Sequence, residues 1–144
     1  MYLKINQLGL EILERAEGLR LKAYADVGGR LTIGYGHTGQ DVKADSFITE
    51  KHAEELLTDD LREAISAVNR LVHVVLTQNQ FSALVCFVYN VGQTNFQRST
   101  MCRLLNEGDY AGAASEFLRW DKVKGVQYSG LTARRRAEKA LFEE

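Results

Sequence analysis

The stretch "EGLRLKAYADVGGRLTIGYGHT", Glu17–Thr38, decides how this chain is read. It opens on a carboxylate where a helix ends. Ile5, Leu8, Ile12, Leu13 and Ala16 recur at helical spacing. Asn6 suits an N-cap, and Gly18 suits the position just past a helix C-terminus. The spacing predicts a first helix over residues 6–17, with Glu17 in its last turn. After Gly18 the period falls to two. Leu19, Leu21, Ala23 and Ala25 alternate with Arg20, Lys22, Tyr24 and Asp26. Beyond Val27-Gly28-Gly29, Leu31, Ile33 and Tyr35 alternate with Thr32 and two glycines. Two such runs around a Gly-Gly turn predict a β-hairpin. A three-residue loop pairs Asp26 with Arg30 and sets Thr32 diagonally from Asp26 on the same face. Gly34, Gly36 and Gly39 then predict a loop.

Outward from the hairpin the pattern is helical. Thr49 is the predicted N-cap of a long helix whose apolar stripe is Ala53, Leu56, Leu57, Leu61, Ala64, Ile65 and Val68. About 20 residues of helix reach about 30 Å, enough to join two lobes. Thr77 and Gln80 form a capping box before Phe81, Leu84, Val85 and Val88, in a helix closed by Gly92. Ser99 caps a short helix through Leu105, ended by Gly108, and Asp109 starts another over "YAGAASEFLRW", 110–120. Gly125 and Gly130 flank a predicted loop, and Thr132 is the predicted cap of the last helix. The pattern is therefore α+β: a small β region after helix one, then a helical body.

Composition narrows the function classes. The 144 residues, 45% hydrophobic and 26% charged, can bury a real core in one domain or in a domain with two lobes. A net charge of −1 excludes a polyanion and a general nucleic-acid binder. The charge is uneven, however. Seven Lys or Arg between Arg119 and Lys139 face only Asp121 and Glu138, so that end suits an anionic partner. Cys86 and Cys102 lie in apolar surroundings at a spacing that fits no metal motif, and are expected as buried free thiols. Lys4, Asn6, Gln7, Glu11 and Glu14 interrupt every early apolar run, and no run approaches the ~20 residues of a membrane span. The expectation is a soluble protein of the cytoplasm with neither signal peptide nor stable membrane insertion.

Glu17 carries the chemistry. A helix C-terminus is partly negative and opposes ionisation there, as does partial burial. A carboxyl kept protonated near neutrality is what a general acid requires. Asp26, at the polar mouth of the turn, is expected to stay ionised, and the Thr32 hydroxyl can help hold a water. An acid, a base and a held water suit glycosidic hydrolysis. Residue by residue, the ordinary readings are a solvated Glu and an Asp closing its own turn; spacing alone does not displace them.

A resemblance does. Glu17, Asp26 and Thr32 match the Glu-x8-Asp-x5-Thr triad of phage-type lysozymes, glycoside hydrolase family 24, the T4-like and P22-like endolysins. "EGLRLKAYAD", "TIGYGHTG", "LTQNQFSALVCFVYNVG" (76–92), "GDYAGAASEFLRW" (108–120) and "GLTARRRAEKALF" (130–142) resemble that family in order along nearly the whole chain. Val75 departs from it, where relatives often have proline.

The resemblance implies a lysozyme-like fold in two lobes with a cleft between. The small lobe would span about 18–60, and the helical lobe about 1–17 plus 61–144. It implies an endolysin that hydrolyses the β-1,4 bond between N-acetylmuramic acid and N-acetylglucosamine in peptidoglycan, with inversion. Glu17 would be the acid, Asp26 the carboxylate that positions the water, and Thr32 its helper. His37 would pair with Asp60, and Arg134 or Arg135 would reach Glu17. Tyr24, Tyr35, Tyr89, Asn90 and Gln93 become cleft candidates, and Ser99 and Thr100 could touch glycan while capping their helix. His52 and His73 are expected at the surface without partners, and Trp120 in the core. No metal or cofactor is expected. The implied partners are glycan strands, with release from the host cytoplasm by a holin. The protein is expected as a monomer without nucleic acid. The competing classes are a non-catalytic glycan-binding module and a small nucleic-acid binder using the basic end.

Overall fold

The computed structural model describes residues 4–26 and 28–144; Val27, in the predicted hairpin turn, lies outside them. The chain divides into two compact units, Leu13–Arg62 and Met1–Ile12 with Glu63–Glu144. The first helix, α1, runs Gln7–Glu17. The Asn6 side chain caps it, accepting from the Gly9 amide at 3.0 Å. Residues Leu13–Glu17 group with the smaller unit, whereas the expected boundary gave all of helix one to the helical lobe.

In the smaller unit, β1 (Arg20–Ala25) and β2 (Leu31–Gly34) form the antiparallel hairpin. Tyr24 faces Thr32 and Ala25 faces Leu31. The Asp26 amide donates to the Arg30 carbonyl at 2.9 Å, the pairing a three-residue loop requires. Two features differ from the sequence reading. First, β1 bulges between Arg20 and Tyr24, because Arg20 faces Gly34. The strict alternation is lost there, since the outer edge of β1 pairs with a different segment: Ala23 N–H donates to the Ser46 carbonyl and Ile48 N–H to the Leu21 carbonyl. Secondly, the expected loop after Gly34 holds β3 (His37–Thr38), with Ile33 facing His37 and Thr32 facing Thr38. Two residues are too few to show a period of two.

The long helix α2, Glu50–Leu71, starts where expected, its N-cap Thr49 accepting from the His52 amide at 3.1 Å. It buries Ala53, Leu57, Leu61, Ala64, Ala67 and Val68, largely the stripe read from the sequence. It runs from the smaller unit into the larger, the division falling after Arg62. Among the described residues, no helix is long and apolar enough to cross a membrane.

The larger unit is built on α3, Gln78–Val91, which begins with the predicted Thr77–Gln80 capping box. Phe81 through Val88 are all buried, and all but Ser82 are apolar, so these two turns of α3 lie inside the core. Beyond Gly92 lies α4, Gln93–Gln97, too short to read from periodicity. Ser99 caps α5 (Thr100–Asn106), and Asp109 caps α6 (Tyr110–Glu116). The helix expected to reach Trp120 tightens instead into a 3-10 turn at Phe117–Arg119. The loop expected next is a small hairpin of β4 (Lys122–Val123) and β5 (Val126–Gln127). The last helix, α7, runs Ser129–Glu143 and begins ahead of Thr132. Thr132 is no cap; its hydroxyl donates to Asp121 Oδ2 at 2.9 Å.

Phe87 is the hub of this core. Its ring meets Phe117 at 5.3 Å, Trp120 at 5.6 Å and Phe96 at 6.3 Å, all edge to face. Such pairs add about 0.5–1.5 kcal/mol each beyond area burial. Cys86 and Cys102 are free and buried, as expected, and burial pushes both thiols up.

Three charges are buried beside these rings. Arg134, Arg135 and Glu138 are 6%, 0% and 0% exposed. Arg134 Nε donates to Glu138 Oε2 at 3.1 Å, and Arg135 Nη1 donates to Glu138 Oε1. Arg134 Nη2 also reaches the Cys86 carbonyl at 3.1 Å, and Arg135 Nε the Trp120 carbonyl at 2.9 Å. Cations near a helix N-terminus are unfavourable; a carboxylate one turn further on, with backbone carbonyls, holds these two. Removing its charge takes a carboxylate partner from two buried cations. Glu138→Gln should therefore lower unfolding stability by about 3–5 kcal/mol, read as a shift of the urea midpoint. Arg136→Gln, at an exposed neighbour, should change it by no more than about 0.5 kcal/mol.

Candidate active site

The three triad residues all fall in the smaller unit. Glu17, half-buried, ends α1. Its carboxylate lies against Gly36: a Cβ built on that glycine would sit 2.5 Å from Glu17 Oε2. Gly36 also has φ +81°, which L-residues with a side chain resist. The turn between β2 and β3 thus passes so close that a side chain at position 36 would displace the carboxylate.

Asp26 closes its own turn. Its Oδ1 accepts from the Gly28 amide at 2.9 Å and the Arg30 amide at 2.8 Å. Its Oδ2 carries no hydrogen bond among the described residues. Thr32 is 4% exposed, and its hydroxyl donates to the Arg30 carbonyl at 3.0 Å. Its one hydrogen is therefore used, and its oxygen is left as an acceptor. The register sets Asp26 and Thr32 diagonally on one face of the hairpin, as the loop length implied.

His37 joins two acids. Nδ1 meets Asp60 Oδ2 at 2.8 Å, and Nε2 meets Asp41 Oδ2 at 2.9 Å. Both nitrogens donate only in the imidazolium. Burial alone would lower its pKa; the bonds and charges of Asp60 and Asp41 overcome that and raise it above the usual 6.5. The same bond holds Asp41 below its usual 3.8. Asp60 is pushed up by burial against the pull of His37. Asp41 was not picked out from the sequence; four residues from His37 across Gly39, it had no periodic signal. Asp59 turns to Arg62 at 3.2 Å. His73, expected without a partner, donates from Nε2 to the Arg70 carbonyl at 3.1 Å.

The other candidates are placed unevenly. Tyr24 is half-buried, with the Arg20 guanidinium 4.3 Å from its ring centre. Tyr35 is 7% exposed, and burial with the charges of Glu14, Glu50 and Glu54 raises its phenol, so it stays a donor. In the larger unit Tyr89 is half-buried and Asn90 exposed. Arg135 Nη2 donates to Asn90 Oδ1, which fixes that amide with its NH2 turned the other way. Gln93 accepts from Arg70 at 2.9 Å and donates to Glu63 at 2.8 Å. Ser99 is buried, accepting from the Cys102 amide and donating to the Phe96 carbonyl, while Thr100 is exposed. Glu138, the partner of both arginines, was missed, although its i+3 and i+4 spacing from them was legible.

The phage lysozyme family profile matches residues 14–138. The chain belongs to the phage lysozyme family. It is 43% identical to the endolysin of Salmonella phage P22, covering 97% of this chain and 98% of that protein. It is 48% identical to the endolysin of Bacillus phage PZA over 97% of its own length, but spans only 55% of that protein. Among solved structures, the muramidase domain of SpmX from Asticaccaulis excentricus superposes with a TM-score of 0.91 at 40% identity, covering 99% of both chains. The α+β lysozyme-like fold expected from the sequence is thus the fold observed.

Within this phage lysozyme, Gly36→Ala should displace the Glu17 carboxylate and strain the turn, costing about 1–2 kcal/mol of stability. Its activity loss should exceed what that stability change explains at a temperature where both proteins are folded; equal activity would show the close approach to be incidental. His37 supplies a pH test. A raised imidazole stabilises fully below 6.5 and ceases to as pH rises through its folded value. His37→Asn should cost on the order of 1.5–3 kcal/mol at about pH 5.5 and distinctly less at about pH 8.5, compared by urea midpoints.

Proposed function

We propose that this chain is an endolysin that hydrolyses the β-1,4 bond between N-acetylmuramic acid and N-acetylglucosamine in peptidoglycan. Glu17 protonates the leaving glycosidic oxygen. Asp26 and Thr32 hold the attacking water. The observation that carries this reading is the division of labour at Asp26: Oδ1 is spent on the turn and Oδ2 is left over, on the same hairpin face as a threonine oxygen that can only accept. A water placed there gives one hydrogen to each and points a lone pair outward. Asp26 takes its proton as the new C–O bond forms, while Glu17 gives its proton to the departing oxygen. With a water between sugar and base, no covalent glycosyl-enzyme is needed, and the anomeric centre inverts.

Family membership supports the substrate class. Tyr24, Tyr89, Asn90 and Thr100 keep surface for glycan contacts; Tyr35, Gln93 and Ser99 contribute more to the frame that carries them. Arg134 and Arg135 both hold Glu138 inside the larger unit and so support its frame. The biological setting we propose is host lysis: the enzyme acts as a monomer on glycan strands after a holin releases it from the host cytoplasm.

The decisive assay is clearing of a purified peptidoglycan suspension with analysis of the new chain ends. The wild type should clear it and release reducing ends. Glu17→Gln and Asp26→Asn, folded by circular dichroism, should each lose about 10²–10⁴-fold in rate. Retained clearing by Glu17→Gln removes the acid assignment. Anhydro ends instead of reducing ends rule out hydrolysis, and wall binding without clearing makes the chain a glycan-binding module.

A further inference from the structure

The exposed part of the cationic end read from the sequence has no part in the chemistry above. Within it, the β4–β5 hairpin collects apolar surface. Of the seven large hydrophobic side chains exposed among the described residues, four lie between Leu118 and Tyr128: Leu118 at 41%, Val123 at 48%, Val126 at 57% and Tyr128 at 51%. Val123 faces Val126 across the ribbon. The turn between them is Lys124-Gly125, with φ of 50° and 79°. Two successive residues at positive φ make the tight hairpin turn that suits strand twist. The tip is therefore preformed, and no chain ordering is needed to present it.

Its charge has one sign. From Lys122 to Ala137 the sequence contains no Asp or Glu. Lys122 leans on Asp121 at 3.6 Å and Arg119 on Glu116 at 3.2 Å, yet both side chains stay more than half exposed. Lys124, at the tip, and Arg136 are exposed with no ion pair among the described residues. Asp121 faces inward, 4% exposed, accepting from Gln127 and Thr132.

We propose that this hairpin, with Leu118 and Tyr128, is a peripheral docking surface for an anionic lipid bilayer. Lysines and arginines meet the phosphates, while the valine pair and the tyrosine enter the interface at the level of the headgroups. A hydrophilic polyanion would satisfy the cations but leave four apolar side chains in water; a bilayer accepts both. The surface is small, so binding is reversible and weakens with salt.

Co-sedimentation of the full chain with large vesicles tests this. The chain should partition at least about tenfold more strongly onto phosphatidylcholine vesicles containing one-quarter phosphatidylglycerol than onto phosphatidylcholine alone. Lys124→Glu should lower partition onto the anionic vesicles at least about tenfold. The double change Val123→Ser with Val126→Ser should also lower it, by about tenfold. Both variants change exposed tip residues and should keep the wild-type urea midpoint. Equal partition onto the two vesicle types overturns the proposal, as does wild-type binding by Lys124→Glu. Wild-type binding by the double valine variant also overturns it, since that would be polyanion attraction alone.

Discussion

The placing of the Glu17 carboxylate in the smaller unit depends on one close approach, that of the turn at Gly36. A glutamate on the last turn of a helix has several rotamers open to it, and a catalytic acid has to occupy one. Part of the restraint here is steric: a backbone without Cβ fills the space on one side of the carboxylate. That backbone is fixed by the sheet. β3 pairs with β2, β2 with β1, and the Asp26 turn closes the hairpin. Glu17, Asp26 and Thr32 are thus all referenced to β2, although they come from a helix end, a turn and a strand. β3 is two residues long, and strands that short do not hold themselves. His37, within it, binds Asp60 of α2 and Asp41 of the following loop, and so clamps the strand next to the Gly36 turn.

The larger unit answers a different demand. α7 brings two arginines into an aromatic core that cannot solvate them. Glu138 meets both, and other donors go to the carbonyls of Cys86 and Trp120 and the amide of Asn90. The Arg135 guanidinium also stacks 5.0 Å from the centre of the Phe87 ring. Buried ion groups of this kind add little net stability compared with a well-packed apolar core, but leaving one member alone is costly. What they add here is direction: α7 can sit against α3 in one register, because a shift along the helix separates Arg134 and Arg135 from their carbonyls.

Much of this was legible in the sequence for physical reasons that operate locally. The caps at Asn6, Thr49, Thr77, Ser99 and Asp109 were readable because a capping side chain bonds to an amide two or three residues away. The hairpin turn was readable because Asp26 bonds to Gly28 and Arg30. Among the backbone elements, what escaped reading was either very short or nonlocal. β3 and β4–β5 are two-residue strands, α4 is five residues, and the bulge in β1 follows from pairing with Ser46–Ile48 far along the chain. The triad itself became readable through family resemblance. Local physics offered an awkward Glu17 and a turn-forming Asp26, and neither is rare.

Asp26 shows why the bland and the catalytic readings of a residue need not compete. Turn closure uses one carboxylate oxygen, and the same two amides that bind it fix the direction of the other. Thr32 repeats the arrangement: its hydroxyl hydrogen is committed to the Arg30 carbonyl, so its lone pairs have a fixed direction too. Two acceptors, both anchored through Arg30, then offer no donor to a water between them. In the proposed reaction such a water has one favourable orientation, hydrogens inward and lone pair outward, which is the orientation a nucleophile needs. An asparagine at position 26 would keep a turn-closing oxygen but put a donor where the second acceptor stands, reversing that orientation while leaving the hairpin intact. In that proposed reaction structural closure and nucleophile alignment are separable at a single side chain, one oxygen for each.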